Sequence, residues 1–159
     1  MVVRLAKAVV VAGRLMTDRC RLRLGIVMTV DNEGDAVLAW LKDLASHLIA
    51  GDQLVVVDAS DASKKDNALK TLISSYDQLH YIVSEKGRAV QMNAGAEFLL
   101  SKSASDAGLL WFLHSDSGLS VDHLAYLRAL SPSIIWGRFD VQLVPSKFPF
   151  GIISGFINV

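Results

Sequence analysis

Cysteine is nearly missing. Cys20 is the only one in 159 residues, so no internal disulfide can form, and no metal-ligating partner stands near it. A lone thiol suits a reducing compartment, and a cytoplasmic location is expected. An excess of either charge is missing too. Lys plus Arg number 16 and Asp plus Glu number 16, so the formal net charge is zero. That argues against nucleic acid as a partner, which would call for a basic face. No apolar run reaches the length of a membrane span. Several signatures are also absent. No Gly-x-Gly-x-x-Gly follows the first predicted strand, which argues against a dinucleotide site. There is no P-loop and no Gly-x-Ser-x-Gly elbow. Cys20 lies far from any His-rich segment, so a cysteine nucleophile has no support.

What is present describes a globular chain. Hydrophobic residues make up 52% and charged residues 20%, which excludes disorder. The length fits one domain with a sizeable core. Arg4 and Lys7 precede Ala8-Val9-Val10-Val11-Ala12-Gly13, an arrangement like the start of a signal peptide. The apolar stretch is too short for one, and Arg14 interrupts it. Residues 1–21 therefore read as an N-terminal extension, either an extra strand or a loose segment.

Residues 24–30 predict a buried strand, short and rich in β-branched side chains. From Asp35 the period changes, and Val37, Leu38, Leu41, Leu44, Ala45 and Leu48 share one helical face. Gly51-Asp52 stops that helix. Residues 54–57 predict a second strand ending in Asp58, residues 66–74 a helix and residues 79–83 a third strand. A helix from Gly87 would bury Ala89, Met92, Ala96 and Leu99. Residues 109–113 predict a fourth strand, 121–130 a helix and 136–144 a last strand. The alternation implies an α/β domain over residues 22–144, with a mostly parallel sheet and helices on both faces. Residues 145–159 are apolar, with Phe148, Phe150, Ile152, Ile153, Phe156 and Ile157 in need of a partner surface. They read as a tail that packs on the sheet or as the start of a missing acceptor portion. A homo-oligomer formed through this tail is one expectation.

In open α/β sheets, ligands bind beyond the carboxyl ends of the strands. Asp31-Asn32-Glu33 follows the first predicted strand, Asp58 the second, and His114-Ser115-Asp116 the fourth. Arg88 and Asn93 open the helix between them. Each has a plainer reading. Asp31 and Asn32 could cap a helix, Asp58 could serve a turn, and His114 could be a packed histidine. Asp116 could cap the next helix, and Arg88 and Asn93 could be solvated helix residues. Jointly they make a cleft of acids and a base. With a divalent cation added, such a cleft would bind a diphosphate.

The stretch Gly87-Arg88-Ala89-Val90-Gln91-Met92-Asn93-Ala94-Gly95-Ala96 and the run Phe112-Leu113-His114-Ser115-Asp116 resemble the inverting glycosyltransferases of family 2, which have the GT-A fold. The nearest likeness is to the radical-SAM/selenodomain-associated transferase subgroup, with its similar GRARQMNAGA and FLHADT segments. Asn32-Glu33 matches the family's Pro-x-x-Asn-Glu turn, with Met28 or Thr29 where Pro stands. Val55-Val56-Val57-Asp58-Ala59-Ser60-Asp61 is similar to VVDGGSTDGT, with both glycines gone. Trp136-Gly137-Arg138-Phe139-Asp140-Val141 is similar to a GGRFDVRL-like strand. The resemblance spans about residues 22–144.

It implies a GT-A-like sheet and transfer of a sugar from a nucleotide-diphosphate donor to an unknown acceptor. Donor contacts would fall to Asp31, Glu33, Asp58, Arg88, Asn93 and Asp116, with Asp58 on the base or ribose. Asp116 would match the last acid of the Asp-x-Asp metal motif, with His114 in place of the first. Together they would hold Mg²⁺ or Mn²⁺. The family's general base lies later in the chain, so the domain reads as C-terminally truncated, with no catalytic base to assign. A non-catalytic nucleotide-binding or partner-binding α/β module is the alternative, favoured by the lost glycines and the short C-terminus.

Overall fold

The structure is a computed structural model that describes residues 9–12, 22–33, 36–61, 67–102, 108–115, 121–131 and 136–139. A short strand comes first, β1 (Val9–Ala12). The strand β2 (Leu24–Val30) follows, buried along its whole length. Such an unbroken apolar run is what a strand covered on both faces requires. The chain then alternates: α1 (Ala36–Ser46), β3 (Gln53–Asp58), α2 (Asn67–Ser74), β4 (Leu79–Val83), α3 (Arg88–Lys102), β5 (Leu109–His114), α4 (Val121–Arg128) and β6 (Trp136–Arg138).

The sheet order is β4-β3-β2-β5-β1-β6. β4, β3, β2 and β5 form a parallel block, as the alternation predicts. β1 runs antiparallel to both of its neighbours, β5 and β6. Residues 9–12, within the segment read as an extension, therefore form a strand of the sheet.

Side chains along the parallel block alternate between two cores, as the pleat demands. Ile26, Met28, Leu54, Val56, Trp111 and Leu113 face α1, α2 and α4, meeting Val37, Leu41, Leu69, Ile73, Leu124 and Leu127. Val27, Val55 and Val57 face α3, meeting Leu99 and Phe98. Helices thus cover both faces.

One helix is rotated from its expected position. The period suggested that α3 buries Ala89, Met92, Ala96 and Leu99. Of these only Leu99 is buried; Gln91 and Gly95 are buried with it, Met92 and Ala96 are half-buried, and Ala89 is exposed. Gly95 explains the rotation. A Cβ there would run into the Val27 side chain and come within 2.9 Å of Val57 Cγ2. The missing side chain lets the helix backbone lie directly on β2 and β3. Glycine costs a helix about 1 kcal/mol relative to alanine, and the close approach offsets that cost. Hydrophobic period alone finds bulky residues and overlooks a face built on a glycine.

The amino ends of the strands are clamped by Asp52, which is fully buried. Its Oδ1 accepts from Leu24 N at 3.0 Å, and its Oδ2 from Ile49 N at 3.0 Å. Arg128 Nη2 donates to the same Oδ2 at 2.6 Å. The pair fastens the end of α4 to the start of β2 and β3. The last predicted strand is realised as Trp136–Arg138; residues 140–144 and the apolar tail 145–159 lie outside the described residues. Among the described residues, no helix is long and apolar enough to cross a membrane.

Candidate functional site at the carboxyl edge

Because β2, β3, β4 and β5 are parallel, the loops that follow them emerge on one edge. The turn after β2 is set by Asn32, whose φ of 66° is left-handed, a region that Asn tolerates better than most residues. Its backbone N–H donates to Ser60 Oγ at 2.8 Å, which ties the loop after β2 to the loop after β3. Its side-chain amide donates to Asp31 Oδ1 at 2.8 Å and reaches Asp61 Oδ2 at 3.5 Å. Asp61 N returns a bond to Asn32 Oδ1 at 3.3 Å. Asp31 N donates to the Glu33 carboxylate.

The loop after β4 closes the group. Lys86 Nζ lies 2.9 Å from Asp61 Oδ1 and 3.6 Å from Asp31 Oδ1. Its pKa is raised, chiefly by the hydrogen bond with Asp61, with Asp31 adding to it. A single ammonium thus sits between two carboxylates from different loops and relieves their repulsion. All three side chains are about half exposed.

Asp58 is different. It is only 1% exposed. Its Oδ1 accepts from Ser60 N at 2.7 Å, and its Oδ2 from the Tyr81 hydroxyl at 2.5 Å. Burial first, and then the bond and charge of Asp58, push the Tyr81 phenol well above its ordinary pKa. Lys70 Nζ stands 5.2 Å from the centroid of the Tyr81 ring.

Gln91 fastens α3 to the same edge. Its Nε2 donates to Val30 O at 2.9 Å and Val57 O at 3.0 Å, tying α3 to the carboxyl ends of β2 and β3 together. Gly87, at a φ of 137°, turns the chain into α3. Arg88, the first residue of α3, is exposed one turn before Gln91, and so lies at the carboxyl edge. Asn93 is two residues past Gln91, about 200° around the helix, and is exposed. The structure therefore gathers Asp31, Glu33, Asp58 and Arg88 but turns Asn93 outward.

His114 ends β5 in register with Thr29 and is half-buried. Thr29 Oγ1 and Ser115 Oγ are buried without a hydrogen-bond partner. Asp116, the expected metal ligand beside His114, lies outside the described residues. Among the described residues, no three His, Cys, Asp or Glu side chains converge to hold a metal ion. Their donor set does not fit a divalent cation. The position between Asp31 and Asp61 is filled by the Lys86 ammonium, and both oxygens of Asp58 are taken by donors.

Reading the sequence missed Ser60, Tyr81, Lys86 and Gln91. Tyr81 had a findable signal, since its place in a period-two strand aims it to one face with a polar tip. Lys86 had none, because its two partners come from loops distant in sequence. Compared with protein-family models, with curated proteins and with solved structures, the chain matches none.

Proposed function

We propose that the carboxyl edge binds a nucleoside-diphosphate sugar. On this reading the chain is a family 2-like glycosyltransferase domain with a GT-A-like sheet, inverting and metal-assisted, acting on an acceptor still to be identified. One observation carries the reading: four parallel strands in the order β4-β3-β2-β5 open their loops onto one edge that holds Arg88, Lys86 and acids. Arg88, at the start of the 15-residue helix α3, sits where the helix dipole also favours an anion. A donor diphosphate would lie against Arg88 and the first turn of α3. By the resemblance, Mg²⁺ or Mn²⁺ would fall to Asp116 with His114, where it would neutralise the leaving diphosphate.

A non-catalytic nucleotide-binding module is the second reading. It is favoured because Asp31, Glu33, Asp58 and Asp61 already have protein partners. Thermal unfolding with a series of nucleoside diphosphates, with and without Mg²⁺, tests the shared part. At a ligand concentration of about 100 times Kd, the native chain should gain about 2.7 kcal/mol, and Arg88→Ala should lose most of that gain. Release of nucleotide from sugar donors then separates the two readings. Stabilisation without release favours the module, and no stabilisation by any nucleotide rejects both.

A further inference from the structure

Asp58 is the acid that the resemblance assigns to the base or ribose, yet of the described carboxylates at this edge it is the least open to a ligand. It is 1% exposed. A base reaching Oδ2 would have to compete with the Tyr81 hydroxyl for an oxygen already removed from water. A base reaching Oδ1 would have to compete with Ser60 N and so disturb the turn after β3.

That turn has consequences beyond itself. Ser60 N is held by Asp58, and Ser60 Oγ accepts from Asn32 N. Asn32, in its left-handed conformation, bonds both Asp31 and Asp61. The buried carboxylate is therefore the fixed point from which two exposed loops take their positions.

We infer that Asp58 is a positioning residue: Tyr81 and Ser60 hold both of its oxygens, it fixes the loops carrying Asn32 and Asp61, and it leaves the base of a bound nucleotide unread. The specificity part rests on the nucleotide reading proposed above; the positioning part does not. Uracil and cytosine make the discriminating pair. Uracil N3 carries a proton that a free carboxylate oxygen would accept, whereas cytosine N3 presents a lone pair that it would repel. Cytosine's own donor is its N4 amine, displaced from N3, so an Asp58 aimed at N3 prefers UDP and a held Asp58 is indifferent.

Calorimetry with UDP and CDP should be run on the native chain, Tyr81→Phe and Asp58→Asn. Amide exchange at Asn32 and Ser60 should be followed in the same proteins. The native chain should bind the two nucleotides within about threefold of each other, and Tyr81→Phe, by releasing Oδ2, should favour UDP by about fivefold or more. In Asp58→Asn the Ser60 and Asn32 amides should exchange about tenfold faster, with the UDP:CDP ratio still near one. A strong native preference for UDP that Asp58→Asn abolishes overturns the inference, as does a Tyr81→Phe ratio equal to the native one. If neither nucleotide binds, the nucleotide reading falls alone. The exchange data then decide the positioning role, and unchanged exchange in Asp58→Asn overturns it. If Asp58→Asn does not fold, Ser60→Ala replaces it and must free the Asn32 amide; failure to do so counts against the inference.

Discussion

The two ends of the parallel block use the same ingredients for opposite purposes. At the amino end, Asp52 and Arg128 form an ion pair removed from water, with Asp52 fully buried and two backbone amides completing its shell. At the carboxyl end, Lys86 bridges Asp31 and Asp61 with every partner about half exposed. Breaking a buried pair leaves an uncompensated charge, whereas an exposed pair is screened and adds little. The amino edge is therefore anchored by its ion pair. At the carboxyl edge Asp58 and Gln91 do the anchoring, and only the exposed Lys86 pairs can rearrange around a ligand at little cost to the fold.

The largest test strikes the amino end. Asp52→Ala should lower stability by about 3–5 kcal/mol, read from urea unfolding. A loss under about 1 kcal/mol, the scale of an exposed pair, would erase the contrast. A middle-sized effect is expected where α3 links the two ends. Gly95→Ala gains about 1 kcal/mol of helix propensity but drives a methyl into Val27 and Val57. Overpacking costs about 1–3 kcal/mol, so a net loss is predicted, with native-like binding at the rim only if α3 keeps its seat. An increase in stability would show that the helix can slide.

The smallest effect belongs to the rim. Lys86→Met should leave the urea midpoint at neutral pH unchanged within error. Alkaline titration sharpens this. Lys86 has a pKa raised above 10.5 in the fold, so its contribution is complete below 10.5 and fades as pH rises through the folded value. Tyr81 is raised above 10.0; the fold holds its proton longer than the unfolded chain does, so stability again falls as pH climbs above 10.0. The midpoint should stay level up to about pH 9.5 and then decline. Tyr81→Phe should remove the tyrosine part of that decline. An identical decline in Tyr81→Phe would mean that Tyr81 does not titrate as its bond to Asp58 requires.

Much of this layout is written locally in the chain. The runs 24–30, 54–57, 79–83 and 109–113 predict strands, and the structure extends them by no more than a residue or two at an end. Each is a short apolar run bounded by polar turns, and such signals need no tertiary information. The α1 face was equally legible, because Val37, Leu41 and Leu44 are bulky and periodic and are buried. The α3 face was not, because its decisive residue is Gly95, whose contribution is an absence of volume. The candidate site divides the same way. Asp31, Glu33, Asp58 and Arg88 were visible because they follow strands or open a helix. Their partners Ser60, Tyr81 and Lys86 became meaningful only when three loops met in space. The buried state of Asp58 had no sequence signature, since turn, ligand and brace all call for the same residue type.

The position of β1 has a consequence for how the chain comes off the ribosome. Val9 pairs with Phe112 on one side and with Arg138 on the other. The first of the described strands is thus an inner strand of the sheet, yet its first neighbour is completed about a hundred residues later. At ordinary translation rates that delay is roughly 5–20 s. Throughout it, Val9-Val10-Val11 has no native neighbour to pair with, while β2, β3 and β4 are already in hand. Nascent-chain assembly must hold this segment in reserve and then insert it as a wedge between β5 and the last strand. Among the described strands, the seat of β6, which reaches the rest of the sheet through β1, is the last to be settled.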